Sequence, residues 1–346
     1  MNSKMRKRLI LSAILGATLA SNFAFGQTVE EKLERLSKIG SDLKPSQTVL
    51  LYPEGIQAAL KSGKGLNPVI GNGYGDGEAE ECDEEARKDG FIRNVSDSAR
   101  IDLYFPENPN GQMIISTPGG SYKGLSSWNE GVYVAEWMLK RGITVGVVKY
   151  RLPNGHWEVP LTDVQNAFRY CRAHAAEWGV NQIGVIGFSA GGHLATTVET
   201  MFVDSITRPD FAVVIYPVVT FENGITHENT RGNLIGFDST AVGYAQLKKR
   251  YSSENNVTSQ TPPTFIALSS DDELVPAENS LRFAKALVDA GVSVELHMYP
   301  QGKHGWGFQD SEIAKKAGKK DKLGKCRENF SQALETWLKR VRKNAK

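Results

Sequence analysis

The chain has 346 residues, of which 40% are hydrophobic, 23% charged and 9% aromatic, a balance that can bury a sizeable core and excludes disordered or collagen-like chains. The formal charge is +2, but Lys4, Arg6, Lys7 and Arg8 stand at the very start, and without these four 37 basic side chains face 39 acidic ones. No strongly positive surface for nucleic acid is indicated. The three cysteines, Cys82, Cys171 and Cys326, are too few and scattered for a disulfide framework or a zinc site, though one bridge remains open.

Residues 1–26 read as a secretory signal peptide. Lys4 to Arg8 precede the apolar run Leu9 to Ala20, and Ala24-Phe25-Gly26 supplies small residues for cleavage after Gly26. The run is shorter than the roughly 20 residues that span a bilayer. No cysteine for a lipid anchor lies at the junction, so the mature chain is expected to be soluble and secreted or periplasmic. Residues 27–90 read as an N-terminal extension: a charged helical start from Val29 to Ile39, glycines at 71, 73, 75 and 77, and the acidic run Glu78 to Glu85. No apolar strand leads into the glycines and acids follow them, which speaks against a phosphate loop. The acidic run lacks an EF-hand pattern and reads as a solvated loop.

Residues 91–346 read as one catalytic domain. Apolar strand-like runs at Ile101 to Phe105, Gln112 to Thr117, Ile143 to Tyr150, Gln182 to Gly187, Phe211 to Tyr216, Thr264 to Leu268 and Val294 to Tyr299 alternate with amphipathic helices. The helices include Leu161 to Trp178, Leu281 to Ala290, and a closing one carrying Phe330, Leu334, Leu338 and Val341. Such alternation gives an α/β fold, a mostly parallel central sheet with helices on both faces, whose chemistry sits at the carboxyl ends of the strands. The polar stretch 218–262 is a possible cap segment.

At one such end stands Gly187-Phe188-Ser189-Ala190-Gly191-Gly192-His193, a Gly-x-Ser-x-Gly elbow with a strand before it and a helix after. Serine needs a base and the base an acid, later in the chain and on the same sheet edge. Ser269-Ser270-Asp271-Asp272 follows one later strand and Gln301-Gly302-Lys303-His304-Gly305 the next. Of the six histidines, His304 alone has the glycine-flanked loop, the order and the edge. His193 reads as a structural hydrogen-bonding residue and His297 as packing within a strand. His156 and His227 are weaker candidates, either substrate contacts or plain surface. Pro118-Gly119-Gly120-Ser121-Tyr122, after an early strand, supplies backbone donors for an oxyanion. The amides of Ala190 and Gly120 are assigned, with Gly119 or Ser121 as alternatives. Tyr122, Trp306 and Phe308 adjoin these loops, as stacking surfaces for substrate or as hydrophobic walls; Tyr122 and Trp306 are taken as substrate-binding.

From Leu51 to Val341 the sequence resembles the secreted bacterial acetyl-esterase/lipase-like α/β-hydrolases, acetyl xylan esterase-like carbohydrate esterases related to the hormone-sensitive lipase family. The resemblance rests on Pro118 to Tyr122, Lys149-Tyr150-Arg151-Leu152, Pro160-Leu161-Thr162-Asp163, Gly187 to His193, Arg208-Pro209-Asp210-Phe211, Tyr216-Pro217, Asp271-Asp272 with Val275-Pro276, and His304-Gly305. Many relatives carry a third glycine where Ser121 stands. The Asp-Asp-x-x-Val-Pro segment is also similar to prolyl oligopeptidase catalytic domains, and that similarity favours Asp271 over Asp272 as the acid. The resemblance implies a serine esterase acting through an acyl-enzyme on Ser189, without metal or organic cofactor, whose partner is an acylated carbohydrate, acetylated xylan-type polysaccharide first. A feruloyl esterase is the nearest alternative. A serine peptidase of the prolyl oligopeptidase type ranks lower, because the chain has no room for the propeller that such enzymes carry.

Overall fold

The computed structural model describes residues 29–37, 39, 43–53, 85–95 and 98–344. The leader, the glycine stretch, most of the acidic run and Cys82 lie outside the described residues.

Among the described residues, eight strands form one sheet: β1 (Gln47–Leu50), β4 (Arg100–Tyr104), β5 (Gln112–Thr117), β7 (Thr144–Lys149), β8 (Gln182–Phe188), β9 (Ala212–Ile215), β10 (Thr264–Ser269) and β11 (Val294–Tyr299). Their spatial order is β1-β4-β7-β5-β8-β9-β10-β11. The pairs β1·β4 and β4·β7 are antiparallel, and every pair from β7 to β11 is parallel. The central strands β5, β7 and β8 are buried along their whole length, as their near-continuous apolar sequences require when helices cover both faces. A small antiparallel sheet, β2 (Glu85–Ala86), β3 (Phe91–Arg93) and β6 (Leu125–Ser126), stands beside it.

Two cores result. On one face α3 (Glu158–His174), α4 (Ser189–Thr200) and α7 (Glu278–Asp289) bring Phe168, Leu194 and Phe283 onto Met113, Ile115, Ile183 and Val185. On the other α2 (Tyr133–Leu139) and α9 (Arg327–Asn344) bring Tyr133, Met138, Leu334 and Trp337 onto Ile114, Val145 and Ile186. Neighbouring residues of one strand therefore enter opposite cores, the period-two signature of a sheet.

Two of the boundaries that differ from the sequence reading have a clear physical reason. Helix α3 begins at Glu158, not Leu161, because Pro160 falls in its first turn, where no amide donor is needed. Residues 27–90 are not wholly an appendage to a domain starting at 91: Gln47–Leu50 pairs with β4 as the edge strand of the main sheet. Cys171 and Cys326 are free thiols. No helix among the described residues is long and apolar enough to cross a membrane.

Candidate active site

Strand β8 runs extended through Phe188 (φ −131°, ψ 133°), and at Ser189 the backbone turns left-handed, φ 54°, as α4 begins. A left-handed residue with a side chain costs about 1–2 kcal/mol, and the neighbours over-determine it here. A Cβ on Gly191 would lie 2.0 Å from the Thr117 carbonyl oxygen, so only glycine lets the first turn of α4 sit against the end of β5. Thr117 Oγ1 closes that approach by donating to the Gly191 carbonyl at 2.8 Å.

The Ser189 hydroxyl lies 2.8 Å from His304 Nε2, and His304 Nδ1 lies 2.7 Å from Asp272 Oδ2. With Nδ1–H donating to the carboxylate, Nε2 is left to accept the serine proton. The acid expected from the sequence, Asp271, is thus displaced by its neighbour. The turn after β10 aims successive side chains apart: Asp271 Oδ1 accepts from the Lys303 backbone amide at 2.8 Å, whereas the Asp272 side chain, only 1% exposed, points at the imidazole. The other oxygen of Asp272 accepts the Leu274 and Val275 amides, each at 3.0 Å, which fixes its rotamer.

The loop after β5 corrects a second expectation. The Gly119 amide cannot serve an oxyanion, since it donates to Glu130 Oε2 at 2.7 Å. The peptide before it is gripped at its other end, where the Tyr150 hydroxyl donates to the Pro118 carbonyl at 2.6 Å. The Gly119 carbonyl in turn accepts from Ser126 at 2.8 Å. A trans peptide directs its N–H opposite its C=O, so the Gly120 amide points away from β6. Ser121 and Tyr122 follow with left-handed φ of 59° and 56°.

Neither aromatic assigned to substrate is available to it. Tyr122 is 1% exposed and its hydroxyl shares a 2.9 Å hydrogen bond with His193 Nδ1; Trp306 is fully buried against Tyr216 and Phe330. Phe308 is buried as well. Their apolar bulk, at the base of the site loops, is drawn into the cores. His193 bonds the Tyr251 carbonyl through Nε2 at 2.7 Å, and burial lowers its pKa to about 4. His297 pairs with Glu295 at 2.8 Å within β11. His227 precedes α5 (Glu228–Ile235); burial, then the charge of His304, lowers its pKa, while Asp272 opposes this. From the same helix Asn233 Nδ2 donates to the Ser121 carbonyl at 2.7 Å, which lays α5 against the glycine loop.

A protein-family model described as alpha/beta hydrolase fold matches residues 119–308, more than half of the chain and a span that includes Ser189, Asp272 and His304. The chain belongs to the α/β-hydrolase fold family. Among curated relatives, it is 38% identical over 226 residues to an acetylxylan esterase of Xylanibacter ruminicola, an alignment covering 63% of this chain and 46% of that protein. It is 30% identical over 214 residues to endo-1,4-beta-xylanase B of Butyrivibrio fibrisolvens, covering 57% of this chain and 32% of the relative. The chain thus spans less than half the length of these two relatives. Among solved structures, an acetyl ester-xyloside bifunctional hydrolase from Caldicellulosiruptor lactoaceticus superposes with a TM-score of 0.59 at 33% identity, over 70% of this chain and 88% of that one. The resemblance read from the sequence and the fold class both stand.

What the sequence did not yield in this α/β hydrolase is Glu130, a buried carboxylate behind the glycine loop, and the role of Tyr216, whose hydroxyl donates to Glu130 Oε1 at 3.0 Å. Burial pushes the Glu130 carboxyl above its usual range, opposed by the Gly119 amide, His304, Tyr216 and Lys322. The available signal was an acid two residues before the short apolar run Val132 to Ala135.

Proposed function

We propose that this protein is a secreted serine carboxylester hydrolase that removes acetyl groups from xylan-type polysaccharide or its oligosaccharides. The observation that carries the chemistry is the unbroken chain of short hydrogen bonds from Ser189 through His304 to Asp272 at the carboxyl edge of the sheet. His304 takes the serine proton as Oγ attacks the ester carbonyl, and Asp272 holds the imidazole in the required tautomer and balances its positive charge. The Ala190 amide, at the start of α4, and the Gly120 amide receive the oxyanion. Proton return from His304 frees the alcohol. Water activated by the same imidazole then attacks the acyl-enzyme, and acetate leaves.

The acetylated carbohydrate is supported by the names of the relatives, an acetylxylan esterase and an acetyl ester-xyloside hydrolase. Secretion is supported by the leader pattern of residues 1–26. With Tyr122 and Trp306 in the core, alcohol-side recognition is assigned to segment 218–262, a reading supported by the bond from Asn233 of α5 to the Ser121 carbonyl.

The test is acid release from acetylated xylan, feruloylated arabinoxylan and a peptide panel, measured side by side with Ser189→Ala. Acetate release should dominate and fall by about four orders of magnitude in the mutant, with folding unchanged. Preferred release of ferulate would replace acetyl by feruloyl. Labelling of another serine by a fluorophosphonate would overturn the mechanism.

A further inference from the structure

Glu130 has no part in the proton path above, yet it touches both halves of the site. It lies in a five-residue π-type turn, Trp128–Val132, that runs directly into α2, and its main-chain carbonyl is fixed by the Ser116 hydroxyl at 2.6 Å. One carboxylate oxygen takes the Gly119 amide at 2.7 Å and the other the Tyr216 hydroxyl at 3.0 Å. The Tyr216 hydroxyl also accepts the Gly307 amide at 2.9 Å, and its ring stands 4.8 Å from the His304 ring. Beside it Asn129 Nδ2 donates to the Gly305 carbonyl at 3.2 Å. A single turn therefore holds the glycine loop with one hand and the histidine loop with the other. Space is equally constrained: a Cβ on Gly119 would come within 2.9 Å of Ser189 Cβ and 3.0 Å of Glu130 Oε2, so this glycine is a spacer between nucleophile and carboxylate.

Burying a carboxylate costs several kcal/mol, and an apolar side chain of like volume often serves stability as well or better. Fold stability alone gives no reason for an acid here. Geometry does: a carboxylate accepts at both oxygens and so can take two donors from two different loops.

We propose that Glu130 is a positioning residue that, by gripping the Gly119 amide, sets the glycine loop and the His304 loop in register, so that the oxyanion donor and the base meet the same substrate carbonyl. The inference rests on the serine-esterase reading, and the experiment separates the two. Wild-type enzyme must first hydrolyse an aryl acetate and take a fluorophosphonate at Ser189; failure there sinks the esterase reading. Given that activity, Glu130→Gln keeps the volume but can no longer accept at both ends. Its kcat should fall by about 10²-fold, the size of effect produced by misplacing a catalytic group by an ångström, with KM within about threefold. Affinity for an aryl boronic acid, whose tetrahedral adduct on Ser189 places an oxygen at the oxyanion site, should fall with kcat/KM. Tyr216→Phe removes the same link without opening a cavity and serves if the glutamine variant does not fold. Where both fold, the double variant should lose little more than either single one, because both break one chain of bonds. Unchanged kcat in a folded variant, a loss confined to KM, or boronate affinity that stays at the wild-type level while kcat falls would overturn the proposal.

Discussion

Asp271 and Asp272 show how little separates a catalytic acid from a bystander. Both are short carboxylates at the end of β10. One caps the main chain at Lys303, and the other meets the imidazole while two amides lock its far oxygen. Asp272→Asn should lower kcat by about 10⁴-fold, since an amide facing Nδ1 favours the wrong tautomer. Asp271→Asn keeps an oxygen for the Lys303 amide and should stay within about threefold of wild type, the loss of a modest hydrogen bond at most. Parallel kcat determinations on the two variants decide the assignment; a larger loss in Asp271→Asn would reverse it. Ser121 is a finer case at the same scale. Its φ of 59° is one that glycine adopts without strain, which is how the position can hold either residue.

Among the elements, the end of β7 is joined to α3 by a buried polar cluster. Arg151 and Asp163 are fully buried, with Arg151 Nη2 2.6 Å from Asp163 Oδ1 and the Arg151 amide 2.8 Å from Oδ2. The Tyr52 hydroxyl donates to the same carboxylate at 2.7 Å and accepts from Asn166 at 2.8 Å. Burial drives the Tyr52 pKa far up, so it stays a donor. The cluster pins the chain leaving β1 to a helix more than a hundred positions later. Asp163→Ala strands a buried guanidinium and should cost about 3–5 kcal/mol, read by urea unfolding. Replacing the arginine and the aspartate together by apolar residues should recover much of that loss; a double variant as unstable as the single would show that the pair itself stabilises the fold.

For the molecule as a whole, two buried groups on α4 give its stability a pH dependence with two signs. His193 has its pKa lowered from 6.5 to about 4, chiefly by burial. The unfolded chain binds that proton first, so this contribution is complete above pH 6.5 and is lost as pH falls through 4. Glu199, fully buried with one oxygen accepting from the Thr264 hydroxyl at 2.6 Å, has its pKa raised from 4.5 to about 8 by burial. The folded state there keeps a proton that the unfolded chain releases, so stability is full below pH 4.5 and declines as pH rises through 8. Thermal unfolding from pH 4 to 9 should show both flanks. Glu199→Gln should flatten the alkaline one, with a gain on the order of 2 kcal/mol at pH 9 that vanishes near pH 5. A gain of equal size at both pH values would mean that ionisation of Glu199 is not the cause.

The sequence by itself determined the strand and helix alternation, the parallel sheet, the nucleophile elbow, the histidine and the glycine loop. Each of these is written in local terms: period-two or period-3.6 apolar spacing, a glycine where chains approach closely, a loop at a strand's carboxyl end. Tertiary structure alone decided what depends on where a side chain aims and what surrounds it. Which of two adjacent aspartates faces His304 is set by one turn's rotation. Tyr122 and Trp306 entered the core because burial of large apolar surface outweighs their nearness in sequence to the site. The Gly119 amide went to Glu130, and Gln47–Leu50 to the sheet edge, because their partners come from distant parts of the chain, and a partner fixed only by folding leaves no spacing for a sequence to display.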